Sequence, residues 1–180
     1  MVRGCASTVV LLLSVMPDMT AARQRPLEYD VKAAFVLNFV RYVEWPASHR
    51  TPPLRLCTLE TNPFGTRLQT VVGGEQWEGA GIDVRVVADM RRSVDCHLLY
   101  VAEGVTDRFA NGISALSGLP VLTVGEHDRF LERGGMIRLF VEDNKIRFSI
   151  NQKAAETVGL LISSRLLRLA RTVIGASGGA

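Results

Sequence analysis

The sequence predicts an α/β fold: a single layered domain of about six strands flanked by about five helices. The first observation is that short apolar segments of strand length alternate along the chain with longer segments of helical periodicity. The second is the composition. The 180 residues are 47% apolar and 22% charged, which suits one domain with a substantial core. The order of the strands in the sheet does not follow from the sequence.

The first 22 residues are typical of an export signal. Arg3 supplies a positive start, an apolar run extends from Val9 to Met16, and small residues at 20–22 suit cleavage before Arg23. The run is shorter than the ~20 apolar residues that a membrane-spanning helix needs. The pattern therefore predicts a cleaved signal peptide, with a membrane anchor or an ordinary first helix as the alternative.

This prediction divides the chain into a signal peptide over 1–22, a mature α/β domain over 23–174 and a flexible tail over 175–180. Cleavage of an export signal in a Gram-negative-type cell would leave the mature protein in the periplasm. Elsewhere, the sequence has no apolar segment long enough to cross a membrane.

The first predicted helix covers Glu28 to Glu44 and ends at Trp45-Pro46, because proline disfavours a helical residue before it. Its apolar residues lie on more than one side, so we expect the domain, a second copy of the chain, or both to bury it. They include Phe35, Val36, Phe39, Val40 and Val43.

The other elements follow from apolar pattern and from helix-breaking residues. The predicted strands are Leu54–Leu59, Ile82–Ala88, Cys96–Ala102, Val121–Val124 and a hairpin of Met136–Val141 with Lys145–Ile150. The predicted helices are Asn62–Val72, Thr106–Leu116, a short turn at Asp128–Glu132 and a long final helix over Gln152–Val173.

The glycine pairs do not have the spacing of nucleotide-binding loops. Neither Gly73-Gly74 nor Gly134-Gly135 is followed by the Lys-Ser/Thr of a phosphate loop. Gly134-Gly135 instead predicts a positive φ angle or a close approach of another group to the backbone before the hairpin.

The histidines do not form a recognisable catalytic or metal-binding motif. His49, His97 and His127 are far apart, and the sequence contains no His-Glu-x-x-His segment. Gly125-Glu126-His127-Asp128 is the one cluster with acid–base character, and a solvated turn that caps a short helix is its simplest interpretation. We therefore expect no enzyme activity, no catalytic residues, no metal and no cofactor, with a hydrolase as a weak alternative.

The charge pattern argues against nucleic acid as a partner. The formal net charge is +3, and the lysines and arginines are scattered along the chain. A nucleic-acid-binding protein needs a basic stripe, commonly with aromatic residues among the charges.

Two cysteines, Cys57 and Cys96, remain after removal of a signal peptide that contains Cys5. An even number in an exported chain favours one disulfide, which would stabilise the fold by roughly 4 kcal/mol in the chain-entropy model. Two free buried thiols are the alternative. Two cysteines this far apart make a poor zinc site.

Several segments in order and spacing resemble the YfiR family of periplasmic proteins (DUF4154). They span Glu28 to about Val173, nearly the whole mature chain. The segments are Glu28–Phe35, Asn38-Phe39, Val43–Pro46, Asn62–Gly65, Pro120–Val124, Gly134–Ile137, Arg147–Asn151 and Ile162–Leu167.

The resemblance implies a compact, often dimeric α/β domain that restrains an inner-membrane diguanylate cyclase from the periplasmic side, so that its release raises cyclic di-GMP. It also implies a disulfide, because Cys57 and Cys96 fall where family members carry one. Some relatives have a second cysteine pair near the Gly-Gly-Met segment. This chain lacks that pair, and with it any redox sensing that the pair would provide.

Two functional hypotheses follow. The favoured one is a homodimeric regulator that binds a membrane signalling protein through the hairpin and the final helix, with Ile150, Val158 and Leu160 as apolar anchors. A plain position in the core is the alternative for each of these residues, and it is the simpler interpretation. The second hypothesis is a small-molecule sensor or carrier with a pocket near one edge of the sheet.

Overall fold

The computed structural model describes residues 19–175 and has a mixed α/β fold, as predicted. The helices are α1 (Met19–Tyr42), α2 (Arg67–Val72), α3 (Thr106–Gly112), α4 (Gln152–Thr157) and α5 (Ser164–Leu169). The strands are β1 (Val43–Glu44), β2 (Leu54–Leu59), β3 (Gln76–Trp77), β4 (Ala80–Val87), β5 (Leu98–Val101), β6 (Leu122–Gly125), β7 (Ile137–Glu142), β8 (Lys145–Asn151), β9 (Leu161–Ile162) and β10 (Val173–Ile174). Short 3₁₀ helices cover Ala47–His49, Met90–Ser93, Glu103–Val105 and Ile113–Leu116.

Within the described residues, eight strands form one sheet in the order β10-β8-β7-β6-β5-β2-β4-β3. Strands β4, β2, β5, β6 and β7 are parallel, whereas β8 is antiparallel to β7 and β3 to β4. Strands β1 and β9 form a separate antiparallel pair. The main sheet thus has more strands than the six we predicted, because its two outermost strands are only two residues long.

Both faces of the central sheet are buried, which explains why the central strands are apolar throughout. Along β5, Leu98 and Tyr100 belong to the core on the α1 face, while Leu99 and Val101 belong to the core on the α3 face. Alternate side chains of a strand point to opposite faces, so one short strand contributes to both cores.

The first helix is buried on more than one side, as expected. It packs on β8, α2 and α5, and Val36 and Phe39 are fully buried. The ring centroid of Phe148 on β8 lies 5.7 Å from that of Phe35 and 5.3 Å from that of Phe39. The domain itself therefore covers most of the apolar surface that the sequence placed on this helix.

Gly134 and Gly135 have the roles predicted for them. Gly134 has a φ of 90°, a conformation that residues with a side chain rarely adopt. The ring of Phe130 occupies the space that a Cβ atom would fill at Gly135, and it does the same at Gly125. Glycine at both positions lets Phe130 pack directly against the backbone.

The prediction of one long helix over Gln152–Val173 is wrong. Helix α4 ends before Gly159, whose φ is 78°, and the N–H of Leu160 donates to Ala155 O at 3.0 Å. The chain then pairs with β1 as β9, and Ser163 caps α5 by accepting a hydrogen bond from the N–H of Leu166 at 3.3 Å. After α5, β10 pairs with β8.

Two smaller helix predictions also differ from the structure. Asn62 does not start a helix. Its Oδ1 accepts from the N–H of Phe64 at 3.0 Å, which stabilises a turn, and α2 begins only at Arg67. Residues 128–132 form turns rather than helix.

Residues 1–18 of the predicted signal peptide and 176–180 of the predicted tail lie outside the described residues, and 19–22 belong to α1. Among the described helices, none is long and apolar enough to cross a membrane.

Candidate functional site

Glu126 is the centre of a buried polar network at the carboxyl end of β6. Its Oε2 accepts from Lys32 Nζ at 2.5 Å, and its Oε1 accepts from the hydroxyls of Tyr100 at 2.7 Å and Tyr29 at 3.1 Å. Lys32 also pairs with Glu28, one turn earlier on α1. The Glu126 side chain is 10% exposed and that of Lys32 is 3% exposed. The network therefore ties α1 to the ends of β5 and β6.

The two tyrosines of this network act as hydrogen-bond donors. Burial, reinforced by the charge and the hydrogen bond of Glu126, raises the pKa of Tyr29 and that of Tyr100 well above the ordinary value of 10.0. Both hydroxyls stay protonated at neutral pH as a result. The carboxylate is paired with an ammonium group and with two hydroxyls, which is what a buried charge requires.

The prediction of a solvated turn at Gly125–Asp128 is correct only in part. Asp128 is exposed and contacts Arg138, and the His127 ring accepts from the N–H of Arg129 at 3.1 Å. Glu126 points inward instead. Its partner Lys32 was not predicted, although the sequence carries a signal for it: Lys32 lies four residues before Val36 on the buried side of an apolar helix.

His97 occupies a second buried polar site, at the amino end of β5. Its Nδ1 accepts from the N–H of Arg55 at 3.0 Å, so Nε2 carries the proton and donates to His49 O at 2.9 Å. The ring centroids of Trp45 and Trp77 lie 6.2 and 5.1 Å from that of His97. Burial lowers the pKa of His97 to about 4, so the ring is neutral near pH 7.

The structure joins Cys57 on β2 to Cys96, the residue before His97, with a Cα–Cα distance of 6.0 Å. Both cysteines are buried. The predicted pairing is therefore present. Among the described residues, no group of three or more histidine, cysteine or acidic side chains could hold a metal ion.

The three predicted partner anchors differ in exposure. Ile150 and Leu160 are fully buried in the core on the α1 face, whereas Val158 is half-buried. As the chain is folded here, Ile150 and Leu160 serve as core residues, the alternative left open above. Contact with a partner stays a prediction for all three residues, and Val158 is the one whose side chain is accessible in this fold.

An apolar groove lies where the β7–β8 hairpin meets α1. Its volume is about 530 Å³, and its apolar side chains are unusually exposed: Leu27 by 65%, Val31 by 46% and Val141 by 52%. Glu28 and Lys145 place opposite charges at its edge. The remaining lining residues are Asn144 and Ile146. Exposed apolar side chains that line one groove mark a surface suited to binding another molecule.

A polar cavity of about 550 Å³ lies on the opposite side of the sheet, beyond the carboxyl end of β2. The chain runs from β2 outward to β4 and returns to β5 on the other side of β2, a change of direction beside which α/β proteins commonly bind ligands. Glu60 follows β2 with a φ of 58° and pairs with Arg108 across the cavity. The other polar lining residues are Asp89, Arg91, Asn111 and Ser114.

Two solved structures resemble this chain in fold. A conserved domain protein from Vibrio cholerae has a TM-score of 0.56 and 12% identity, over 81% of this chain and 60% of that one. The ABC domain from Streptococcus pneumoniae, solved in complex with L-Trp, has a TM-score of 0.50 and 13% identity, over 67% of this chain and 55% of that one. This chain thus spans less than two thirds of either protein, and such low identities show the fold alone.

The comparison with curated proteins gives no match. The model of the YfiR/HmsC-like family, DUF4154, matches residues 29–171, which include both buried polar sites, the disulfide and the hairpin. This match covers most of the described residues and agrees with the resemblance seen in the sequence. The chain belongs to the YfiR/HmsC-like family, which is a family of regulatory proteins.

Proposed function

We propose that this protein is a periplasmic regulator that restrains an inner-membrane diguanylate cyclase by direct contact, and so controls cyclic di-GMP inside the cell. The observation that carries the proposal is the family match over residues 29–171. The buried Cys57–Cys96 disulfide supports an oxidising compartment such as the periplasm. The export pattern of residues 1–22 points to the same compartment.

The apolar groove between α1 and the hairpin is the contact surface of this proposal. Val31 and Val141 supply exposed apolar area at its centre, and Glu28 and Lys145 supply a charged rim. Protein interfaces commonly combine an apolar centre with a polar rim. We therefore expect the periplasmic part of the cyclase to place an apolar side chain against Val31 and Val141.

The test measures cyclic di-GMP in a strain that lacks the gene and in strains that carry a variant. Deletion should raise cyclic di-GMP, and so should removal of residues 1–22, which would keep the protein in the cytoplasm. The double variant Val31→Asp/Val141→Asp should fail to restore the low level. Ile174→Asp is the control, because Ile174 is 46% exposed and lies outside the groove, the hairpin and the predicted final helix.

Unchanged cyclic di-GMP after deletion, together with no membrane protein recovered when the purified chain is used as bait, would exclude the cyclase as target. If the Val31/Val141 variant restored the low level of cyclic di-GMP, the contact with the cyclase would lie outside the groove. In that case Val158 is the next residue to substitute.

A small-molecule sensor is the second candidate, supported by the polar cavity beside Glu60 and Arg108. Its volume lies within the range of ordinary ligand pockets, and it offers both signs of charge. An amino acid carries both signs as well. L-Trp, the molecule bound to the Streptococcus domain, is therefore a sensible first probe in a thermal melting screen. A rise in melting temperature that Arg108→Ala abolishes would support this role, and no rise across the amino acids would argue against it.

A further inference from the structure

Strand β4 has a long open edge. It pairs along its length with β2, but on its other side β3 covers only Ala80 and Gly81. Among the described strands, none pairs with the outer edge of 82–87. The N–H and C=O groups of every second residue there point away from β2, so the edge offers a row of donors and acceptors to an added strand.

The side chains along this edge alternate between two kinds. Ile82, Val84 and Val86 lie on the face toward α2, where Ile82 and Val84 are partly buried and Val86 is 52% exposed. Asp83 and Arg85 lie on the opposite face, where Arg85 Nε donates to Asp83 Oδ2 at 2.9 Å. Proteins often protect an open edge with proline or lysine, and this segment contains neither.

A cavity of about 470 Å³ adjoins the edge on the α2 side of the sheet. It lies between the last turn of α2, the loop 73–76 and β4. The space beside the loop is open, because a Cβ atom at Gly74 or Gly81 would meet nothing within 4 Å. A side chain of an added strand that faced Ile82 would point toward α2 and enter this cavity, where Val72 and Ile82 supply apolar contacts.

The two charges on the other face specify which strand fits the edge. A basic side chain opposite Asp83 and an acidic one opposite Arg85 would each form a favourable cross-strand pair. Antiparallel pairing is slightly more stable per residue than parallel pairing, and β3 already pairs with β4 in that sense. An antiparallel strand meets Arg85 before Asp83, so its acidic residue comes two positions before its basic one.

A second β4 does not meet this requirement. Its charges have the required order, but the register that pairs them would set its Val87 opposite Gly81, where Gln76 of β3 already pairs. Val87 cannot turn away there, because it is paired with Leu59 in its own sheet. The added strand must instead end or turn away at the position that faces Ile82.

We infer that the outer edge of β4 binds an extended segment of another protein, which adds to the sheet as an antiparallel strand over residues 82–87. The segment has apolar side chains on the α2 face, an acidic side chain against Arg85 and a basic one against Asp83. Main-chain hydrogen bonds give such a site its affinity, and the alternate side chains give it specificity. The site does not depend on the proposed cyclase contact, which uses the groove beside the hairpin.

The test uses two fluorescent hexapeptides with blocked ends and measures their binding to the purified chain by fluorescence anisotropy. The peptide Thr-Val-Glu-Val-Lys-Val, antiparallel to β4, places its Glu against Arg85 and its Lys against Asp83, and it should bind with a micromolar dissociation constant. The peptide Thr-Val-Lys-Val-Glu-Val has the same composition with the charges exchanged. It should bind about 10-fold more weakly, because both cross-strand pairs become like-charge contacts.

The double variant Asp83→Lys/Arg85→Glu should invert this preference and bind the exchanged peptide about 10-fold more tightly than the first. Such an inversion requires a folded edge, so it cannot come from a general loss of structure. Arg129→Glu is the control, because Arg129 forms an exposed ion pair with Glu132 away from this edge, and it should leave both affinities unchanged.

A second measurement needs no protein variant and decides the question if the double variant does not fold. Methylation of alternate amide nitrogens of the first peptide should abolish binding in one phase and preserve it in the other, because only every second residue of an added strand bonds to β4.

Four results would overturn the inference: no saturable binding of either peptide, equal binding of both, tighter binding of the exchanged peptide by the wild type, or equal effects of the two methylation patterns. A fall in the mass of the purified chain on Asp83→Lys, measured by sedimentation equilibrium, would assign the edge to a second copy and would overturn it as well.

Discussion

Glu126 and His97 are both buried polar groups, yet the protein treats their charges in opposite ways. At the carboxyl ends of the parallel strands, Glu126 is held by Lys32 and by the hydroxyls of Tyr29 and Tyr100. At the amino ends, the partners of the His97 ring nitrogens among the described residues are two backbone groups. A charge can be buried beside an opposite charge, whereas an imidazole with neutral partners gives up its proton.

The largest effect should come from breaking the disulfide beside His97. We expect the double variant Cys57→Ala/Cys96→Ala to lose roughly 4 kcal/mol of unfolding free energy, the chain-entropy value for the loop of 39 residues that this bond closes. Urea unfolding measures the loss. A reductant should destabilise the wild type but not the double variant. Alkylation of both cysteines in the unreduced protein, detected by mass spectrometry, would contradict the bond.

Removing the ammonium group from the Glu126 site should be the next largest perturbation. Lys32→Met leaves the carboxylate buried beside two hydroxyls without its cation, at a cost of about 3 kcal/mol in urea unfolding. Arg41→Met is the matched control on the same helix. Arg41 Nη2 lies 2.6 Å from Glu75 Oε2, but this pair is exposed, so its loss should cost less than about 1 kcal/mol. Equal losses of unfolding free energy for Lys32→Met and Arg41→Met would contradict this difference between a buried and an exposed ion pair.

The His97 site should weaken as the pH falls. The folded-state pKa of about 4 lies below the ordinary 6.5, so the unfolded chain binds the proton more readily in that interval. The neutral ring thus contributes stability that is present above pH 6.5 and is lost toward pH 4, by about 1–3 kcal/mol. An NMR titration should find His97 neutral at pH 5.5. A midpoint near 6.5 would contradict burial as the cause.

The smallest expected effect on stability is that of removing a hydroxyl beside Glu126. Tyr100→Phe removes one donor but keeps the ring, so we expect a loss of about 1.5 kcal/mol in urea unfolding, typical of a hydrogen bond to a charged group. Tyr29→Phe should cost less, because its hydroxyl lies farther from the carboxylate, at 3.1 Å against 2.7 Å, and is less buried. The reverse order would show that the Tyr29 hydroxyl is the main support.

Several features could be predicted from local sequence because their causes are local. The hairpin follows from two alternating strands around Asp143 and Asn144, which both take positive φ angles in the turn. The pair Gly134-Gly135 predicts a positive φ angle or a close approach to the backbone, and the structure has the first at Gly134 and the second at Gly135. The pairing of Cys57 with Cys96 followed from counting, because removal of the predicted signal peptide would leave two cysteines and one possible bond.

The prediction of a long final helix was wrong because the sequence pattern of this segment fits two structures. Gln152–Val173 has helical periodicity, but Gly159 ends α4, and the two-residue strands β9 and β10 exist only because β1 and β8 offer edges to pair with. A strand of two residues is too short to show the alternation of side chains by which a strand is predicted. Its existence depends on a partner elsewhere in the chain.

By itself, the sequence determined the α/β class, the central strands, the hairpin and the family, because these rest on periodicity, turn residues and ordered motifs. Only the tertiary structure decided that Ile150 and Leu160 lie in the core, that Glu126 turns inward and that β4 keeps an open edge. Each of these depends on groups far apart in the chain. Lys32 and Glu126 are separated by 94 residues and meet only because the carboxyl ends of neighbouring parallel strands lie at one edge of the sheet, where α1 crosses them.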